Sequence, residues 1–298
     1  MLLPSFDYGN VGYHGGAPLP DKPATRTFPA GRHTITYPIV LKTGDVLRGA
    51  GRDKTILYFP DGLKQMGVPC RDGTSTNKDC FDWSAGGSTD LFMGVIGAMG
   101  SEIGIKDLTI EFPANHAWTH HAKYEGTSGY NGIELKQCTN CWIKDVSIKN
   151  ADNSIMVSDG GNNTIQGVHL YARPGGGHIH VAYVNSDNNL ATKFRMYGTS
   201  SHELVNNWGG ENNVFANGWV ENIKLEADHS CGGRRHGDEI CTKNLLYSNI
   251  SGKIGAIQTI DRKGNPVEKV LWNVGRLDRC PLDAYTAQHA NHTRRGGS

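Results

Sequence analysis

No stretch of this 298-residue sequence holds the roughly 18 to 20 consecutive apolar residues that a helix needs to cross a bilayer, so a helical membrane span is excluded. No stretch keeps apolar residues at i, i+3, i+4 and i+7 long enough to argue for a substantial helix, which leaves strands and turns as the material of the fold. Net charge is nearly absent as well, since 30 Lys and Arg stand against 29 Asp and Glu. A chain balanced to +1 has no bulk field to draw in nucleic acid or a membrane surface, so neither is expected as a partner, and a charged ligand must be gripped locally. Hydrophobic residues make up only 37%, which suits an elongated fold with a thin core column. The leading MLLPSFDYGN lacks the basic and apolar regions of a secretory signal.

What the sequence has instead is repetition. Ile143-Lys144-Asp145-Val146-Ser147-Ile148 is echoed by Ile165-Gln166-Gly167-Val168-His169-Leu170, and Val146 and Val168 lie 22 residues apart. A unit of that length cannot bury its apolar face alone, so copies must stack into a solenoid. Similar short strands centre on Leu108 upstream and on Phe194, Val214, Leu245 and Val270 downstream, with intervals that vary as the joining loops vary. Gly, Asn, Asp and Ser fill the joints, and the 39 glycines are far more than ordinary usage gives. The expectation is an all-β parallel β-helix in one domain with loop insertions. Residues 1–27 form an N-terminal cap segment, 28–275 the coils and 276–298 a C-terminal tail. A β-sandwich is the alternative for so many short strands.

Seven cysteines bear on compartment. Cys70 and Cys80 bracket one polar insertion and Cys231 and Cys241 another, and a disulfide in each would restrain a long loop that adds little core. Cys138 and Cys141 form a C-x2-C without the second pair that a zinc site wants, so a local disulfide or two packed thiols is preferred, and Cys280 is left over. Sequons at Asn162, Asn249 and Asn291 permit glycosylation in a secretory pathway. These features together point to an extracellular protein.

The chemistry-bearing residues cluster in the interruptions of the repeat, where insertions in a solenoid build a binding face. His116, His120, His121, Glu125 and Tyr130 precede the regular coils, His178 and His180 sit in RPGGGHIHVAY, and His202 in SSHELVNNWGG. Asp228, His229, Arg234, Arg235 and His236 share LEADHSCGGRRHGDE. Equivalent points of successive coils lie only about 4.8 Å apart, so clusters distant in sequence can meet. His178 and His180, at i and i+2 on a strand, point to one face and can share a ligand, though a metal would require a third donor that nothing local identifies. RGAGRDKT at 48–55 lacks the phosphate-loop spacing and reads as a Gly-rich corner, and YFP at 58–60 and the tryptophans can stack on sugar rings or cover the solenoid's edge.

PAGRHTITYPIVLKTGDVLRGAGRDKTILYF resembles the early coils of right-handed parallel β-helix proteins of the pectate-lyase-like superfamily, and GYNGIELKQCTNCWIKDVSIKNADNSIMV is similar to the following coils of a secreted subgroup. The resemblance runs over roughly residues 5 to 275 and implies binding or cleavage of polysaccharides, often acidic ones. It departs at the amino end, where such proteins place an Asp- and Gly-rich stretch and an amphipathic capping helix and this chain has only PDKPATR. An uncapped end exposes core and strand edges, so the leading segment or a second chain is expected to cover it.

The resemblance favours a polysaccharide lyase acting on uronic acids. Such a reaction neutralises the carboxylate, removes the adjacent proton and protonates the leaving oxygen. Arg234 or Arg235 would grip the carboxylate, His180, His202 or His229 would be the base with Asp228 orienting His229, and Tyr130 or a second His the acid. His121, Glu125 and His178 would line the substrate cleft. The alternatives are a glycoside hydrolase drawing on Glu125, Asp228, Asp238 and Glu239, and a non-catalytic glycan-binding or structural β-helix. No cofactor is expected. Calcium is known among β-helix lyases as a carboxylate neutraliser, but no tight acidic loop is visible here.

Overall fold

The computed structural model describes residues 23–68, 93–116, 129–174, 178–199, 204–207, 210–226, 245–258 and 271–273. These residues contain strands and no helix, wound as successive turns of three strands each. The first turn is β1 (Thr25–Thr27), β2 (Gly31–Thr34) and β3 (Ile39–Leu41), and the second is β4 (Val46–Arg48), β5 (Thr55–Tyr58) and β6 (Ile96–Ser101). In the third and fourth turns the first two strands run together, as β7 (Gly104–Glu111) with β8 (Asn131–Thr139), and β9 (Trp142–Lys149) with β10 (Asn153–Ser158). Then come β11 (Thr164–Gln166), β12 (His169–Tyr171) and β13 (His178–Val184), followed by β14 (Leu190–Thr192), β15 (Arg195–Thr199) and β16 (Leu204–Asn207). β17 (Val214–Glu226) and β18 (Leu246–Gln258) each cover a whole turn, and β19 (Leu271–Asn273) opens another.

Every strand pairing is parallel, and each joins a strand to its equivalent in the neighbouring turn. Three sheets result. The first runs β1-β4-β7-β9-β11-β14-β17-β18-β19, the second β2-β5-β7-β9-β12-β15-β17-β18, and the third β3-β6-β8-β10-β13-β16-β17-β18. The echo seen in the sequence is the register itself, for Ile143 pairs with Ile165 and Ile148 with Leu170.

Alternation puts one apolar row of each strand inside. Ile105, Ile143, Ile165, Ala191, Phe215 and Tyr247 stack down the first sheet, and Ile110, Ile148, Leu170, Met196 and Val220 down the second, all buried. Burial of such a side chain contributes roughly 1.5–3 kcal/mol, so a thin column stabilises through its length. The corner between the first and second sheets is one left-handed residue, Asp107, Asp145, Gly167, Lys193, Asn217 and Asn249 in successive turns, with φ from 49° at Asn249 to 68° at Gly167. Asn and Asp tolerate this region, which explains their density at the joints. At another corner the buried Asn163, Asn189 and Asn213 form a ladder, each carboxamide oxygen accepting the backbone N–H of the turn before.

One part of the repeat runs out of phase with the sequence reading. Val214 pairs with Leu190 in the first sheet, so the partner of Phe194 at the corner is Gly218 and not Val214. A Cβ on Gly218 would collide with the Phe194 ring, so one large residue fills the core space of two turns and the apolar pattern breaks there.

Between the second- and third-sheet strands the described residues 59–68, 93–95, 112–116, 129–130 and 172–174 lie outside the strands, so the coil is interrupted repeatedly at this corner. The third-sheet portion of β17 ends at Glu226, and β18 begins at Leu246.

Candidate active site

Alternation in the third sheet sends Ile133, Leu135, Ile155, Val157, Ile179, Val181 and Tyr183 inward. The intervening side chains point outward, where Glu134, Met156, Ala182 and Val205 form one row across β8, β10, β13 and β16. Lys136, Ser158 and Val184 form the next row. Polar residues on the outside of a sheet are ordinarily solvated, yet Glu134, Lys136, Ser158, His178 and His180 are all buried.

Glu134 is the centre of this face. Its Oε2 accepts the Met93 N–H at 2.5 Å and its Oε1 the Ser158 hydroxyl at 3.0 Å. Burial raises its pKa above the ordinary carboxylate range, against the Met93 hydrogen bond and the Lys136 charge, which favour the anion.

The two histidines share the outer side, as strand alternation requires, with rings parallel within 5° and centroids 5.4 Å apart. A bulge makes this possible. Between the pairs Asn153↔His178 and Ile155↔Val181 the strand β13 carries one extra residue, which brings His178 in line with Asn153. His178 donates from Nδ1 to Asn153 Oδ1 at 2.9 Å, while Asn153 donates to Asn131 Oδ1 at 2.6 Å. That tautomer makes Nε2 the basic nitrogen of the neutral ring.

Beside this face lies a buried pair that sequence reading did not single out. His116 Nε2 stands 2.8 Å from Asp152 Oδ1 and its Nδ1 donates to the Pro113 carbonyl at 2.6 Å, so both ring nitrogens are committed and a proton lies between ring and carboxylate. Burial raises the Asp152 pKa, opposed by its hydrogen bond to His116. The Asp152 carbonyl accepts the His178 N–H at 2.7 Å, which ties this pair to the strand carrying the histidines. Arg173 donates to the His116 carbonyl at 2.5 Å, and its buried Nε and Nη1 have no hydrogen-bond partner.

Of the residues singled out from sequence, His178 and His180 meet on the third sheet. Tyr130 packs at the neighbouring corner, its ring 4.1 Å from His116 and its hydroxyl donating to the Pro60 carbonyl at 3.3 Å. Burial raises its pKa, with Asp61 and Asp152 adding to the shift. His121, Glu125, His202, Asp228, His229, Arg234 and Arg235 lie outside the described residues, as do Asp238, Glu239, the cysteine pairs at 70/80 and 231/241, Cys280 and the sequon at Asn291. Cys138 and Cys141 are free and buried, so the local disulfide is not formed. The hydrogen bond between the two thiols, with burial, raises the Cys138 pKa, and the same bond lowers that of Cys141. Among the described residues no group of three or more potential ligands could hold a metal ion, and no helix is long and apolar enough to cross a membrane.

Sequence reasoning missed Glu134, Lys136 and Ser158. The signal was present in the two charges at i and i+2 of the otherwise apolar strand IELKQC.

No family model and no curated protein matches the chain. Among solved structures, a pectin methylesterase in complex with a hexasaccharide is similar with a TM-score of 0.50 and 15% identity, covering 95% of this chain and 91% of that one. Pectin methylesterase PemA from Erwinia chrysanthemi gives 0.47 and 13% over 95% and 91%, and a putative glycosyl hydrolase from Parabacteroides merdae 0.46 and 15% over 66% and 81%. The chain is a right-handed parallel β-helix. The pectate-lyase-like architecture expected from the early coils is therefore present, and at these identities the likeness speaks for the fold alone.

Proposed function

We propose that this β-helix is an extracellular carbohydrate-active enzyme that seats a uronic-acid-containing polysaccharide on the outer side of the third sheet and cleaves it by β-elimination. The observation that carries the reading is the gathering of Glu134, Lys136, His178 and His180 on one face bordered by the chain's insertions. A pectin methylesterase of the same fold is solved in complex with a hexasaccharide, which supports a carbohydrate ligand.

The roles follow from the chemistry. A cation, Lys136 or Arg234 and Arg235 from the insertions, neutralises the uronate so that the proton on the adjacent carbon becomes acidic. His180 takes that proton, its electron pair becomes the new carbon-carbon double bond, and the glycosidic carbon-oxygen bond breaks. Glu134, its pKa raised by burial, gives a proton to the departing oxygen. His178 positions His180 by stacking, and His116 with Asp152 holds the strand. No resident metal is required, because side-chain cations supply the neutralisation. Turnover lost on dialysis against a chelator and restored by calcium would contradict that point.

A glycoside hydrolase is the second reading, and the buried acid Glu134 favours it, because hydrolysis also begins with a carboxyl protonating the leaving oxygen. The products separate the two. Incubation with pectate, alginate, glucuronan, ulvan and glycosaminoglycans should raise both ultraviolet absorbance from unsaturated product and reducing ends. Reducing ends alone would mean hydrolysis, and neither would overturn both readings.

A further inference from the structure

The outer side of the second sheet has no part in this mechanism, yet it is not an ordinary solvated face. Two outward rows run along it. One carries Lys149, Tyr171 and Tyr197, and the other His169, Arg195 and Trp219, each aligned by the parallel register. Tyr171 and Tyr197 stack with centroids 4.6 Å apart and planes 5° from parallel, and Trp219 packs against Tyr197 at 5.2 Å. Ring faces packed on one another leave edges and hydroxyls directed outward.

The cations here are uncommitted. Among the described residues, Lys149 Nζ sits 5.8 Å from the Tyr171 ring centre with no carboxylate in ion-pair range, and the exposed Arg195 likewise has no ion pair. The Gly-rich corner at 48–55 folds towards the same face, with Thr109 donating to the Arg52 carbonyl at 2.5 Å. Arg52 reaches Asp145 at 3.5 Å through Nη2 while its buried Nη1 has no partner. At the amino-terminal end of the same face the pattern is different, because Arg32 is neutralised by Glu111 at 2.6 Å and covers Tyr58 at 3.9 Å. Among the acids near the cluster, Glu221 is tied to the Gly198 N–H at 2.6 Å and Asp145 is engaged by Arg52, while Asp53 lies within electrostatic reach of His169 and Tyr171.

We infer that the face formed by Lys149, Tyr171, Tyr197, Arg195 and Trp219 is a second, non-catalytic binding site for an anionic polysaccharide. Uncommitted cations beside aromatic edges and phenol hydroxyls match a chain of hydroxyls with one carboxylate per sugar. The rungs repeat every 4.8 Å or so, close to the length of one sugar in an extended chain, so successive turns can meet successive residues. Nucleic acid would need a wider field than a chain of net charge +1 supplies. The class of ligand rests on the polysaccharide reading above, but the binding does not depend on turnover.

The test is affinity electrophoresis of the full chain in native gels containing polygalacturonate, alginate or neutral dextran. Wild type and the His180→Ala variant should be retarded equally by the acidic polymers and not by dextran. A double variant, Lys149→Gln with Arg195→Gln, should bind about tenfold more weakly, and Tyr197→Ala should do likewise, while turnover of a short oligosaccharide is unchanged. The surface double variant keeps the test sound if Tyr197→Ala folds poorly. Undiminished retardation of the double variant, equal retardation by dextran, or displacement by single-stranded DNA as effective as by polygalacturonate would overturn the inference. Retardation that is lost in the double variant of a protein with no turnover would uphold this site and refute the proposed reaction.

Discussion

The outer sides of the second and third sheets are made by the same turns, often by the same continuous strands, and carry opposite surfaces. On the third sheet the outward residues are buried, with Glu134 at 2% exposure and its carboxyl oxygens held by Met93 and Ser158 of neighbouring turns. On the second, from Lys149 and His169 onward, they are half-buried or exposed, aromatic and cationic, with Lys149 and Arg195 in no ion pair among the described residues. The register treats both alike, so the difference comes from what packs on each face, and over the third sheet Met93 joins Met156, Ala182, Val184 and Val205 and hydrogen-bonds Glu134. A solenoid thus separates chemistry, which needs exclusion of water, from capture of a polymer, which needs an open surface.

The largest effect that would break this comparison is loss of His180. His180→Ala should lower turnover by about 10²- to 10⁴-fold, the usual weight of a general base, without changing retention on polygalacturonate. Next comes the shared core. Ile148→Ala, beneath the second sheet, should cost about 2–5 kcal/mol by chemical unfolding, because its neighbours Ile110 and Leu170 cannot close the cavity. Such a loss should weaken both faces together, whereas surface variants separate them.

The solenoid itself was legible because Ile143 and Ile165 lie in the same register position and the corners carry Asn, Asp and Gly where φ is positive. Legibility failed at Gly218, where Phe194 fills the missing volume and the apolar marker moves out of phase. His178 and His180 were legible as a same-face pair, since strand alternation is local. Glu134 was not, because IELKQC reads as a strand with a solvated polar side, and burial there comes from segments distant in sequence. The pairing of His116 with Asp152 was equally hidden, 36 residues apart and joined only once the coil is wound.

Smaller effects sharpen the contrast. Glu134 has a folded-state pKa raised by burial, so its favourable contribution is complete below the ordinary carboxylate range and is lost as pH rises through the folded value. Thermal melts of the wild type should therefore fall as pH rises above the ordinary carboxylate range, and Glu134→Gln should flatten that slope. An unchanged slope would place Glu134 outside the pH response. Smallest is Tyr183→Phe beneath the third sheet. The Tyr183 hydroxyl is fully buried without a hydrogen-bond partner, and burial holds its pKa well above the ordinary value, so removing it should leave stability unchanged or raise it by about 1 kcal/mol. A drop on thermal melting would mean the hydroxyl is satisfied in solution.

The central claim, that the outer side of the third sheet performs elimination, is tested most directly by following ultraviolet absorbance of unsaturated product with polygalacturonate and alginate, wild type beside His180→Ala. A rise in the wild type that disappears in the variant is the expected result. An equal rise in both, or reducing ends without absorbance, would contradict it.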